Sequence, residues 1–169
     1  MSDIQRFVGV SKGPYTSWDP VNRPMIRQWC EVMEDNNPVY ADAEAARALG
    51  HEECIAPAAM LQVWGMAGYR GEHPPGSADD SHYTLMQDVR DQGYTGVVAV
   101  NCEQEYERYL VERDRLHYTT ECETVQGPKQ TALGEGYFVT ELTRYFDQND
   151  KLVGTMRFRL LFYKPKGSV

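Results

Sequence analysis

Ile55-Ala56-Pro57-Ala58-Ala59-Met60-Leu61-Gln62-Val63-Trp64-Gly65-Met66-Ala67 is apolar nearly all the way round. A helix of that composition is buried on most sides, and Pro57 suits its first turn. The stretch therefore predicts a long helix at the centre of the molecule. Ala58 and Ala59 are small, so other backbone or a ligand can approach closely there. The N-terminus of a buried helix also offers free amide donors and the positive end of a dipole. Those suit an oxygen that gains negative charge during a reaction.

Upstream of it, Met25, Ile26, Trp29, Val32 and Met33 recur at helical spacing and predict an amphipathic helix over 23–34. Asn22 can cap that helix, and Pro24 fits its first turn. A short second helix is predicted over 43–49, capped by Asp42 and stopped at Gly50. Between the two lies Asp35-Asn36-Asn37-Pro38-Val39-Tyr40. Pro38 pushes Asn37 out of the helical region, and Asp and Asn tolerate tight local geometry. On composition alone this is a helix–turn–helix joint. Residues 1–20 carry the turn signals Gly13-Pro14 and Asp19-Pro20 and little periodicity. They read as an irregular arm that packs on the body or on a partner subunit.

Downstream, residues 70–96 read as an insertion over a cleft. Glu72 through Asp80 is loop by composition, and Ser81 to Gln92 predicts one helix. Tyr83, Leu85, Met86 and Val89 form its apolar side, and Gly93 ends it. From Val97 onward the pattern turns to strands, over 97–109, 116–125, 136–146 and 152–163. Val125-Gln126-Gly127-Pro128 and Asp147-Gln148-Asn149-Asp150 are the turns between them. The run from Gly127 to Phe138 has two readings: a hairpin with bulges, or a backbone that lets a ligand come close, with Lys129 near phosphates. It carries no Walker or dinucleotide fingerprint. Helices first and antiparallel strands after are the pattern of an α+β fold. A length of 169 residues is one ordinary domain, here 1–169.

Charge and thiols narrow the functional classes. The net charge of −8 and the pI near 5 disfavour nucleic acid and anionic membranes as partners. An anionic ligand would need a local basic patch. No apolar run is long enough to span a bilayer, and no secretory pattern opens the chain. Cys30, Cys54, Cys102 and Cys122 are widely spaced and read as reduced cytosolic thiols. His51, His73, His82 and His117 are scattered and make no zinc pattern. The expectation is a cytoplasmic protein with no metal.

One resemblance is carried by Asp35, Asn37-Pro38-Val39 and Ala46. Together they resemble the signature of the MaoC-like, R-specific enoyl-CoA hydratase family. That resemblance implies the hot dog fold, an antiparallel sheet wrapped around a long central apolar helix, here Ile55–Ala67. In the family an Asp five residues before a His forms the catalytic pair; here Tyr40 stands at the His position. Longer stretches are similar to the larger subunit of the actinobacterial heteromeric steroid side-chain enoyl-CoA hydratases. They include Asp19-Pro20-Val21-Asn22, Ala56-Pro57-Ala58-Ala59-Met60, Gly96-Val97-Val98-Ala99 and Gly127 through Gly136. The match spans about 19–165.

The resemblance implies a hydratase subunit that has no catalytic residue of its own. A small MaoC-like partner would supply the Asp/His pair, in a heterodimer or heterotetramer. This chain would help form the acyl-CoA cleft, with Ala58, Ala59, Lys129, Thr131 and Gly134 against substrate and coenzyme A. Coenzyme A enters as part of the substrate, so no separate cofactor is expected. The acyl group implied is a steroid with a shortened side chain. An OB-fold domain with a zinc ribbon, docking a thiolase-like aldolase, is implied either on a longer form of the chain or as a separate protein. Two other functions stay open. One is a self-sufficient homodimeric hydratase or dehydratase using Asp35 with Tyr40, His51 or His117. The other is a non-enzymatic acyl-CoA-binding scaffold.

Overall fold

The computed structural model describes residues 4–80 and 84–166. Five antiparallel strands form one sheet in the order β1-β3-β4-β5-β2. They are β1 (Ser11–Thr16), β2 (Gly96–Tyr106), β3 (His117–Gln130), β4 (Glu135–Phe146) and β5 (Leu152–Tyr163). The helices α1 (Arg23–Met33), α2 (Ala43–Ala48), α3 (Leu61–Trp64) and α4 (Thr84–Asp91) come before or between them. The α+β expectation holds.

Local chemistry explains most boundaries. The Asn22 carboxamide accepts from the Met25 amide at 3.0 Å and starts α1. The Asp42 carboxylate does the same for α2, at 2.8 Å from the Glu44 amide. Leu85 and Val89 put one side of α4 into the core. Its expected first residues, Ser81 to Tyr83, lie outside the described residues. No described helix is long and apolar enough to cross a membrane.

Two expectations change. The arm over 1–20 is not irregular throughout, because Ser11–Thr16 pairs with β3 as an edge strand. Gly13-Pro14, taken as a turn signal, sits where the register shifts between Lys12 and Tyr15. A bulged edge strand tolerates proline because its outward N–H is not needed by a neighbour.

The insertion over 70–96 contributes Met86 to the wall of a cavity on the sheet. Its loop packs beside β1 through His73, which stacks on Tyr15 at 4.3 Å.

The largest change is at the centre. Ile55 bridges to Val111, and the Ala56 amide donates to Leu110 O at 2.8 Å. The chain then makes one 3-10 turn over Ala58–Met60 and a single helical turn, α3, before Gly65. A Cβ at Gly65 would stand 3.0 Å from the Tyr118 ring. The backbone there lies close on the sheet, where only glycine leaves room. The apolar run is buried at Ile55, Ala56, Met60, Leu61 and Trp64, while Ala59 and Met66 are exposed. A buried apolar run does not by itself distinguish helix from extended chain.

With so short a central helix, the helical side of the sheet carries two cores. One gathers Tyr15, Ile26, Leu61, Trp64, Tyr145 and Met156. The other gathers Phe7, Leu85, Val89, Tyr94, Val139 and Phe162. Phe158 packs against both. Between them runs a polar seam of Thr120, Thr143 and Glu141, the two threonine hydroxyls 3.4 Å apart.

Candidate active site

The Asp35–Tyr40 turn follows α1 and forms one wall of a groove of about 530 Å³, with Arg23, Arg27, Cys30 and Glu31 on the other wall. The turn is held by its own side chains. Asp35 Oδ1 accepts from the Asn37 amide at 3.1 Å, and Asn37 Oδ1 accepts from the Val39 amide at 3.3 Å. The Asp35 amide in turn donates to Cys30 O at 2.9 Å. These are the Asx bonds that the composition implies. They give Asp35 a structural task.

Tyr40 is half-buried and packs against the first core. Burial, then the nearby Asp35 carboxylate, push its phenol above the ordinary tyrosine value, with Asn37 offsetting part of the rise. The Cys30 thiol is raised for the same two reasons. Both groups are therefore protonated at neutral pH. Neither can take a proton from water there.

Among the described residues, none of the histidines completes this site. His51 lies edge-on to Tyr109, ring centres 5.2 Å apart. His117 stacks on Phe146 and reaches Asp150 at 3.2 Å, beside the Asp147–Asp150 turn. His73 is stacked on Tyr15, its imidazole held below the ordinary value by burial.

The expected binding residues fall into two groups. Ala58 and Ala59 open the short turn before α3, and Leu61 just beyond it approaches Gly154. Lys129, Thr131 and Gly134 lie at the β3–β4 hairpin, where Lys129 pairs with Gly136 and Gly136 with Tyr163. Gly154 pairs with Tyr145, nine positions along β4 from Gly136. At strand rise the two groups are about 30 Å apart, so one chain does not bring them together.

The hairpin is also explained without a ligand. The Thr131 hydroxyl donates to Gly134 O at 2.6 Å, and a Cβ on Gly134 would run into Lys164 O. A Cβ on Gly127 would stand 2.7 Å from Gly136 O. The glycines let strands and tail approach, as the bulged-hairpin reading has it. Lys129 is exposed and reaches Gln126 at 3.3 Å.

A second concavity was not anticipated from the sequence. It measures about 240 Å³ and opens between the Gln62–Gly68 segment, Met86 and the sheet. Tyr118, Tyr145, Met156, Phe158 and Leu160 give it apolar walls. Glu141 projects into it without a hydrogen bond or ion pair among the described residues, and burial pushes its carboxyl up to about 7. A signal for it existed. On β4 the core-facing alternation is Tyr137, Val139, Glu141, Thr143, Tyr145, and a lone acid in such a row is out of place.

Residues 6–156 match the family described as "FAS1-like, dehydratase domain region". The chain belongs to that family. Among curated relatives of this dehydratase family, it is 44% identical over 173 residues to the "3-oxo-4,17-pregnadiene-20-carboxyl-CoA hydratase alpha subunit" of Mycobacterium tuberculosis, covering 99% of this chain and 54% of that protein. It is 45% identical over 164 residues to the "Probable enoyl-CoA hydratase alpha subunit" of Thermomonospora curvata, covering 96% and 51%. The chain thus spans about half the length of these relatives. Among solved structures, it matches a chain of the ChsH1-ChsH2 complex from Mycobacterium tuberculosis with a TM-score of 0.86 at 44% identity, covering 98% and 94%. A "MaoC-like dehydratase" matches at 0.69 and 21% identity, covering 95% of this chain and 43% of that one, which is evidence of fold alone. The fold is therefore the MaoC-like hot dog, here with a shortened central helix.

Proposed function

We propose that this chain is the non-catalytic subunit of a heteromeric 2-enoyl-CoA hydratase acting on a steroid side-chain thioester. The observation that carries the proposal is the Asp35–Tyr40 turn. Its carboxylate is engaged by the Asn37 amide, and a phenol raised above its ordinary value stands at the imidazole position. Hydration needs a base to activate water at C3 and an acid to deliver a proton at C2. An imidazole titrates near neutrality and can do both. This turn can do neither, so the pair comes from a MaoC-like partner.

The sheet supports a partner of that kind. β2 is an edge strand of eleven residues, and Val97, Val100 and Tyr106 on it are exposed. A long unpaired edge is a template for another strand, and we place the partner's sheet there. A bulky acyl group is supported by the cavity that the short α3 leaves open, with its aromatic and methionine walls. The 44%-identical relative is named for a 3-oxo steroid thioester, and we take that substrate class over as the proposal. Arg23 and Arg27 line the Asp35 groove, paired with Glu112 at 3.1 Å and Glu31 at 2.9 Å, so coenzyme A phosphates would have to compete with those carboxylates there. The remaining length of the relatives leaves room for an OB-like domain that would dock an aldolase. We place the reaction in the cytoplasm, where acyl-CoA esters are handled.

The test is hydration of a 3-oxo steroid enoyl-CoA by the chain alone and with a co-expressed small MaoC-like subunit. Turnover in the mixture and less than about a hundredth of it in the isolated chain is expected, since general acid–base groups contribute about 10²–10⁴-fold. Equal turnover by the isolated chain overturns the proposal and returns the search to the histidines.

A further inference from the structure

Glu141 stands where the two cores part. On one side of it is the cavity under Gly65 and Met86; on the other is a narrow cleft shared with Lys12, Thr84 and Cys122. An ionisable side chain half-buried this way without a partner costs the fold stability. No bond in the Asp35 groove or the hairpin uses it. The cavity is too small to hold a whole ligand of drug size, for which about 300 Å³ is a lower figure. It suits the end of one. Apart from Gln62 and the tyrosine hydroxyls, its walls are apolar outside the seam, and Glu141 is the one ionisable acid an entering group meets there. We propose that Glu141 is the specificity-determining residue for the far end of the acyl group, donating a hydrogen bond from its carboxyl to a ketone oxygen there. This deepens, and rests on, the steroid thioester reading above.

The charge environment fits a donor. Cys122, opposite Glu141 on β3, has its thiol pushed up to about 11, first by burial and then by Glu141 itself. Tyr145 across the cavity is held protonated by burial, and the Tyr118 ring lies beside it, centres 5.7 Å apart. The cation facing Glu141 among the described residues is Lys12, 3.7 Å from Asp80. α4 contributes Thr84, Leu85 and Met86. With its carboxyl near 7, Glu141 is largely protonated below neutrality and can donate; ionised above it, it would repel a ketone oxygen.

The experiment compares two thioesters on the complex with the MaoC-like partner, one with the distal ketone and one with a methylene in its place. Hydration kinetics and binding calorimetry are read together from pH 6 to 9. The wild type should favour the ketone about five- to tenfold, the worth of one hydrogen bond, and lose that preference as the pH passes 7. Glu141→Gln, which keeps a donor, should retain the preference at every pH. Glu141→Leu should bind both esters alike. A ketone preference unchanged in Glu141→Leu, or absent from the wild type at pH 6, overturns the proposal. A wild-type complex that binds with the preference but hydrates neither ester supports the role of Glu141 and sinks the hydratase reading instead.

Discussion

Asp35 and Glu141 are both carboxylates at the wall of a cavity, and the chain treats them differently. Asp35 sits in a turn where a backbone amide reaches it at 3.1 Å and solvent is close. Glu141 sits in the middle of a sheet, meets no donor, and rises to about 7. The first residue occupies the position where the family's chemistry is expected and holds a turn bond there. The second occupies a position that folding alone would fill with a hydrophobe. A third arrangement calibrates the two. Arg108 holds Asp114 at 2.6 and 2.9 Å and Asp147 at 3.0 Å, and both carboxylates are buried. Partnership, more than depth, decides what a carboxylate costs or contributes.

Arg108→Ala should give the largest effect, because it turns two satisfied buried acids into unpaired ones. A loss of about 3–4 kcal/mol is expected in urea unfolding at pH 7. The pH dependence follows from Asp147. Burial raises its carboxyl, but the Asn149 amide, Arg108 and the Lys151 amide outweigh that and hold it below the ordinary value. Its contribution is therefore present above the unfolded value and lost as the pH falls through the folded one. The variant should lose less on acidification than the wild type. A variant as stable as the wild type would mean that water serves both acids equally well.

Glu141→Gln should act in the opposite sense. Between 4.5 and about 7 the unfolded chain has released a proton that folded Glu141 still holds, so stability falls as the pH rises through that window. The amide removes this loss. The variant should gain about 2–3 kcal/mol at pH 8 and little at pH 4, read from urea midpoints at the two values. A gain independent of pH would show that packing, and not charge, is at issue.

Asp35→Ala should be the smallest of these, about 1 kcal/mol for one lost turn bond. Asp35→Asn, which keeps the acceptor, should stay near the wild type. If Asn is as damaging as Ala, the charge of Asp35 matters and the turn is not its only task. Tyr40→His should leave the isolated chain below about a hundredth of the turnover of the complex, measured on the same thioester.

Much of the fold could be read from the chain. Asn22 and Asp42 cap the helices they were expected to cap, and β5 runs from Leu152 to Tyr163 as its alternation implies. Caps and alternation are local, so single residues report them. The failures are long-range. Over Ile55–Ala67 the chain pairs through Ile55 with Val111 and through Ala56 with Leu110, contacts more than fifty residues away in sequence, before it makes a short helical turn. Whether Gly13-Pro14 turns or bulges depends on β3 lying beside it. At the site, Asp35 and Tyr40 were found through the turn and the family likeness. Lys129 and Thr131 were expected against substrate together with Ala58, and the register of β4 puts the two groups at opposite ends of the sheet. Glu141 was passed over because one acid in a strand looks like surface until both faces of the sheet are known.

The most direct measurement is kcat of the complex with Asp35→Ala and Tyr40→Phe introduced together in this chain. If the acid and base belong to the partner, kcat on the 3-oxo steroid enoyl-CoA stays within about twofold of the wild type, since no group in transit of a proton has been removed. A fall of about a hundredfold or more, the contribution of a general acid or base, would contradict it and return the chemistry to this chain.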